Sequence, residues 1–225
     1  LEIHKNEFTV IMGQSGSGKS TLLYLLSGLD KATQGHIQFL DQEIGLLNEG
    51  KLARLRRKAF GFIFQSINLI NHMNLWENIL LAGFLGNVEV QKVKRRAEEL
   101  LEIMNIDSLK KRLPTQVSSG EQQRAAIARA LINKPDILFA DEPTGALNYA
   151  TGQIILDYLS KINQEQNQAI VMVTHDLKAA CRGQRILFLR DGQLEGEFCF
   201  DTSNKKVSLE NREGILFKWL SEKGW

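Results

Sequence analysis

Phe8-Thr-Val-Ile-Met12 runs directly into Gly13-Gln-Ser-Gly-Ser-Gly18-Lys19-Ser20-Thr21, and this junction decides the fold. A short apolar run closed by a glycine reads as a buried strand. The segment behind it fits the pattern G-x-x-x-x-G-K-[ST], and the residues from Lys19 to Leu26 have helical spacing. Each residue type has a physical task. Gly13, Gly16 and Gly18 let the backbone curl so that successive N–H groups, those of Ser15 and Ser17 among them, point inward at phosphate oxygens. The helix that follows presents its positive dipole end to the same anion at Lys19, Ser20 and Thr21. Lys19 reaches the outer phosphates, and the Ser20 hydroxyl suits a Mg²⁺ ligand. A chance glycine-rich turn is the competing account, and it requires strand, loop and helix to fall into register by accident.

Outward from this junction the apolar runs repeat at Phe60 to Phe64, Ile137 to Ala140, Ile170 to Val173 and Ile186 to Leu189. Between them lie helical stretches such as Gly152 to Ile162, with Ile154, Ile155, Tyr158, Leu159 and Ile162 on one face. Strands alternating with helices predict an α/β fold, a P-loop NTPase core with a largely parallel sheet. Asp191-Gly192, between two strand-like runs, predicts a hairpin and so an antiparallel edge. The stretch 66–133 lacks strand runs; Val93, Ala97, Leu100, Leu101 and Met104 form an apolar stripe opposite Lys92, Lys94, Arg95, Glu98 and Glu99. The expected organisation is one domain over 1–225, with an α/β core at 1–65 and 134–225 and a helical insert subdomain at 66–133. Ile215, Leu216, Phe217, Trp219 and Leu220 predict a C-terminal amphipathic helix packed on the core.

Bulk properties narrow the function classes. The 225 residues carry 28 basic and 26 acidic side chains, a formal net charge of +2, so the balance favours neither nucleic acid nor an acidic substrate. No apolar run approaches the roughly 20 residues needed to cross a bilayer. Any membrane is therefore expected to be met through a partner. Cys181 and Cys199 lack a CxxC or a histidine at ligand spacing, and reduced, packed thiols are the expectation.

Ile137-Leu-Phe-Ala-Asp141-Glu142 is a hydrophobic strand ending in two acids. Alone, these read as a solvated acidic turn. Beside a phosphate loop, such a strand delivers Asp141 to the metal and Glu142 to the attacking water as general base. Gln65 ends the run at Phe60 to Phe64, and His175 follows the run at Ile170 to Val173. Both sit where a parallel strand opens onto its ligand-facing loop, Gln65 for metal or water and His175 for the γ-phosphate.

With Val117-Ser118-Ser119-Gly120-Glu121-Gln122-Gln123-Arg124 added, the motifs in their order resemble the ABC ATPase family. That segment is similar to the family's signature motif, and the resemblance covers nearly the whole chain. It implies ATP and Mg²⁺ as cofactors and ATP hydrolysis as the activity. It also implies a head-to-tail dimer with a second copy of the chain. One subunit gives the phosphate loop; the other gives Ser118, the Gly120 N–H and a helix starting near Glu121 as a second anion-binding terminus. The partner implied is an integral membrane permease, placing the chain peripherally on the cytoplasmic face of the cell membrane; no nucleic acid is expected. The family's insert receives the permease near Leu69, Ile70, Met73, Leu75 and Trp76, residues that serve equally as insert core.

Three features depart from the family pattern. Ser119 stands for the first signature glycine and Val117 for a leucine, and the Ser119 Cβ is expected to weaken ATP-driven closure. Asn148 stands where many relatives have aspartate, keeping a hydrogen-bonding group without the charge. The adenine-stacking aromatic normally lies upstream, but only 12 residues precede Gly13, which suggests a shortened amino terminus. Phe62-Ile-Phe-Gln65-Ser-Ile-Asn68-Leu69-Ile70 and Glu121-Gln-Gln-Arg124 are similar to the group serving lipoprotein release, macrolide export and antimicrobial-peptide transport. Asp141 to Asn148 and Arg185 to Gly192 look most like its bacitracin-type resistance branch. Rival readings are a chromosome-maintenance ATPase, which needs sustained heptads that are missing here, a two-cassette translation relative, and an ATPase that signals across the membrane or controls cell-wall hydrolases without transport.

Overall fold

The computed structural model describes residues 1–86, 88–200 and 208–225. The first half runs β1 (Phe8–Met12), α1 (Lys19–Leu26), the short strands β2 (Gln38–Phe39) and β3 (Gln42–Glu43), α2 (Glu49–Ala59), β4 (Phe60–Ile63), α3 (Leu75–Leu85) and α4 (Val90–Ile103). The second half runs α5 (Ser119–Leu131), β5 (Ile137–Asp141), α6 (Tyr149–Gln166), β6 (Ala169–Thr174), the single turn α7 (Leu177–Ala180), β7 (Arg185–Arg190), β8 (Gln193–Cys199) and α8 (Leu209–Glu222). Six strands form one sheet in the order β4-β5-β6-β1-β7-β8, parallel except for β8. The hairpin to β8 turns on Asp191 and Gly192, with φ of 50° and 76°. Two consecutive positive φ values match the twist of the strands they join.

The sheet is covered on both faces, and strand periodicity divides the core. Phe8, Val10, Met12, Leu138, Ala140, Ile170, Met172, Ile186 and Phe188 face one hydrophobic cluster, shared with α3 to α8. Ile11, Phe139, Val171, Val173, Leu187 and Leu189 face the other, shared with α1 and α2. Successive residues alternate between the layers because the strand period is two. Gly61 lets α5 lie close on β4: a Cβ there would stand 2.6 Å from the Ala130 carbonyl oxygen.

The expected α4 stripe is buried, Val93, Ala97, Leu100 and Leu101 within the helix and Met104 at its C-cap. The cluster runs from α3 and α4 through α5 into the sheet without a break at either end of 66–133. Leu75 is fully buried, while Ile70 remains exposed and Leu69 and Trp76 pack partly on the core.

Two expectations need correction. In α8, Leu216 and Leu220 are buried, but Ile215 and Phe217 stay about half exposed, so only part of the proposed apolar face packs. Cys181 is buried, its thiol pushed up to about 12 by desolvation, whereas Cys199 is exposed and not a packed thiol. Among the described residues, no helix is long and apolar enough to cross a membrane.

Candidate active site

The strand order places β1 between β6 and β7, so the chain leaves β1 for the far edge and returns beside it. A crevice opens at the carboxyl ends of strands where the order reverses in this way. The 13–18 loop sits there. Gly16 and Gly18 take φ of 83° and 95°, the left-handed region that a glycine enters without strain. Gly13 answers a different demand: a Cβ would lie 2.2 Å from the Leu189 carbonyl oxygen. The hairpin turn latches the loop, since Gly192 N–H donates to the Ser17 carbonyl at 3.0 Å. Lys19 Nζ donates to the Gln14 carbonyl at 2.7 Å. Burial lowers the Lys19 pKa, against the opposing pull of Glu142 and Asp141.

Asp141, 4% exposed, ends β5 beneath α1. Ser20 Oγ donates to its Oδ1 at 2.8 Å, and the Tyr24 hydroxyl to its Oδ2 at 2.7 Å. The Tyr24 pKa is pushed up to about 12, first by that hydrogen bond and then by burial and the Asp141 charge. Glu142 follows with φ of 44°, a left-handed non-glycine conformation. Such strain costs on the order of 1–3 kcal/mol and clusters at functional sites. Glu142 N–H donates to Val173 O at 3.1 Å and its own carbonyl accepts from Gly145 N–H at 2.9 Å, which holds it there. Its Oε1 accepts from His175 N–H at 3.2 Å and lies 2.8 Å from His175 Nδ1. Thr174 Oγ1 donates to Glu142 Oε2 at 3.3 Å while accepting from Asp176 N–H at 3.0 Å. The His175 side chain stays 66% exposed while that of Glu142 is 12% exposed, so the imidazole projects toward solvent from a half-buried acid.

These groups share one cavity of about 830 Å³, lined by Ser15, Gly16, Gly18, Lys19, Ser20, Thr21, Gln65, Glu142 and His175. Gly13 and Ser17 lie outside the lining, as does Asp141, which is hydrogen-bonded to Ser20. Sequence reasoning missed Thr174, Tyr24 and two aromatics that wall the cavity, Phe217 and Trp225. In the sequence Phe217 reads as part of the core-packing face of α8, and nothing local marks Trp225. A larger cavity of about 1290 Å³ lies between residues 1–6 and the β2–β3 hairpin, and none of these candidate groups lines it.

Ser118, Gly120 and Glu121 do not reach this cavity. Their helix starts at Ser119, two residues before the expected start, with Ser118 as N-cap. Ser118 N–H donates to Glu121 Oε2 at 2.7 Å and Glu121 N–H to Ser118 Oγ at 3.3 Å, a reciprocal capping box. Hydrogen bonds from the Ser118 N–H and hydroxyl hold the Glu121 carboxyl below its ordinary pKa. Gly120 is required by packing as well, because a Cβ there would sit 2.3 Å from Thr151 Cγ2. Asn148 caps α6, accepting from Thr151 N–H at 2.9 Å, a role aspartate fills equally well.

The residues fit a phosphate chain and a hard cation. Ser17 Oγ is buried with no hydrogen-bond partner among the described residues, and the Lys19 ammonium has donors beyond its one carbonyl. Among the described residues no three histidine, cysteine or carboxylate groups cluster as a metal cage. Ser20 and Asp141 offer oxygen only, the donor type Mg²⁺ takes when substrate phosphates and water complete its shell.

Residues 1–145 match the family model described as ABC transporter. An ABC transporter ATP-binding protein of Methanocaldococcus jannaschii, MJ0796, is 42% identical over 201 residues, 88% of this chain and 86% of that protein. The lipoprotein-releasing system ATP-binding protein LolD of Wigglesworthia glossinidia brevipalpis is 43% identical over 194 residues, 86% of this chain and 85% of that one. The bacitracin export ATP-binding protein BceA of Halalkalibacterium halodurans is 41% identical over 194 residues, 86% and 77% respectively. A dimeric post-hydrolysis structure of the MJ0796 cassette, bound to ADP and Pi, matches with a TM-score of 0.81 at 40% identity, covering 89% of this chain and 88% of that one.

Proposed function

The chain belongs to the ABC transporter family as an ATPase, and we propose that two copies sandwich ATP head to tail to drive an integral membrane permease. The observation that carries the site assignment is the convergence of Lys19, Ser20, Glu142 and His175 on one cavity, with Asp141 behind Ser20. Gly13 to Thr21 cradle the phosphates through backbone N–H groups and the α1 dipole. Lys19 would hold the outer phosphates, while Ser20, Asp141 and Gln65 would hold Mg²⁺ directly or through water. When bound, Mg²⁺ would supply positive charge against that developing on the transferring phosphoryl group. Glu142 takes the proton of the attacking water, and its strained backbone and the Thr174 hydroxyl fix where that carboxylate points. His175, hydrogen-bonded through Nδ1 to Glu142, presents its other edge to the γ-phosphate. Ser118, Gly120 and Glu121 of a second copy complete the site from the far side.

The permease places the chain on the cytoplasmic face of the membrane, with Ile70 and its neighbours at the insert surface receiving it. Within the group that includes LolD and BceA, we assign the chain to the bacitracin-type antimicrobial-peptide branch, supported by the segments Asp141 to Asn148 and Arg185 to Gly192. Isolation of the native complex tests this: a permease that confers peptide resistance supports the branch, and one that extracts lipoproteins from liposomes contradicts it. Glu142→Gln tests the chemistry. ATP turnover should fall by about 100-fold or more, as expected for loss of a general base, with ATP binding kept and a stable ATP-bound dimer formed. Undiminished hydrolysis overturns the role of Glu142.

A further inference from the structure

The Asp141 carboxylate is held at both ends by hydroxyls from a single helix. Ser20 and Tyr24 lie four residues apart on α1, on one face and one turn apart, and each donates to a different oxygen of the acid. The ring of Tyr24 packs at the edge of the cluster beneath the sheet, while its hydroxyl has one hydrogen bond among the described residues, the 2.7 Å bond to Oδ2. The χ2 torsion of aspartate is broad and roughly two-fold, so burial alone does not decide which lone pair faces the cavity. Mg²⁺, by contrast, demands near-ideal octahedral geometry at about 2.0–2.1 Å. A hydrogen bond on the distal oxygen fixes ligand orientation, and such outer partners typically change metal affinity about 10–100-fold.

We propose that Tyr24 is the positioning residue for Asp141, pinning its distal oxygen so that the other faces Ser20 and the metal. The proposal rests on the reading of Asp141 as a metal-holding acid. Tyr24 touches neither nucleotide nor metal; it acts through the carboxylate. Tyr24→Phe keeps the ring and removes only the donor.

The test uses the full chain with Glu142→Gln, so that turnover does not interfere. Mn²⁺ binding to the ATP complex is followed by electron paramagnetic resonance, and ATP binding is measured separately in excess EDTA. Tyr24→Phe should weaken Mn²⁺ binding about tenfold, as loss of an outer-shell partner does, and leave metal-free ATP binding unchanged. Asp141→Asn should weaken Mn²⁺ binding further. If Asp141→Asn leaves Mn²⁺ affinity intact, the metal-holding reading of Asp141 fails. If Asp141→Asn weakens it and Tyr24→Phe leaves it equal or tighter, the positioning role is overturned while that reading stands. An equal loss of ATP affinity in EDTA for Tyr24→Phe also overturns it, since that marks a general disturbance of α1.

Discussion

Two helix N-termini in this molecule, those of α1 and α5, read alike in the sequence as anion sites, and the structure makes them opposites. α1 begins after a left-handed Gly18 with no side-chain cap and no acid in its first turn, and Lys19 stands at its mouth. Its orphan N–H groups are left for a ligand. α5 begins with a closed capping box and an acid, Glu121, in its first turn. The box satisfies the N–H groups of Ser118 and Glu121, and the ionised Glu121 carboxylate lowers the pull of this terminus on an anion. A helix terminus binds phosphate according to what the sequence leaves unsatisfied, not by virtue of being a terminus. In the proposed dimer the α1 end takes the phosphate within one chain, and the α5 end meets it across the interface from the other.

The largest effect expected at the α5 end comes from Gly120→Ala. Overpacking against Thr151 should cost about 1–3 kcal/mol in denaturant unfolding, and Thr151→Ser in the same chain should recover most of it. A neutral Gly120→Ala would mean that phosphate approach alone requires the glycine. A smaller effect concerns pH. Glu121 has a lowered folded-state pKa, so its cap is fully formed above the ordinary glutamate value of 4.5 and is lost as pH falls through the lowered value. Hydrogen exchange at the first turn of α5 should therefore accelerate only below pH 4.5, and Glu121→Gln should flatten that dependence. Smallest is Ser119→Gly, which should strengthen ATP-dependent dimerisation modestly by removing a Cβ, offset by glycine's cost of about 0.5–1 kcal/mol within a helix. Sedimentation with and without ATP measures the balance, and weaker dimerisation refutes the steric account.

The difference between the termini also marks what the sequence allowed one to read. Gly13 to Thr21 were legible because strand, loop and helix are consecutive, and the alternation of Val10, Ile11 and Met12 between layers follows from strand period. The α4 stripe and the Asp191-Gly192 turn were legible for the same local reason. Tyr24 against Asp141, Gly120 against Thr151, and Trp225 at the cavity wall were not, because each joins residues distant along the chain. At Glu121 the reciprocal bonds to Ser118 are local, a capping box that stands beside the ligand role proposed for that residue.

A mixing experiment tests the composite site most directly. Lys19→Ala removes the open terminus's ammonium, and Ser118→Arg blocks the closed terminus; each variant alone should show almost no ATP hydrolysis. Mixed, they form heterodimers in which one chain's intact phosphate loop faces the other's intact Ser118 segment, and hydrolysis should return. Full activity of Ser118→Arg alone, or a mixture as silent as its components, would contradict the account.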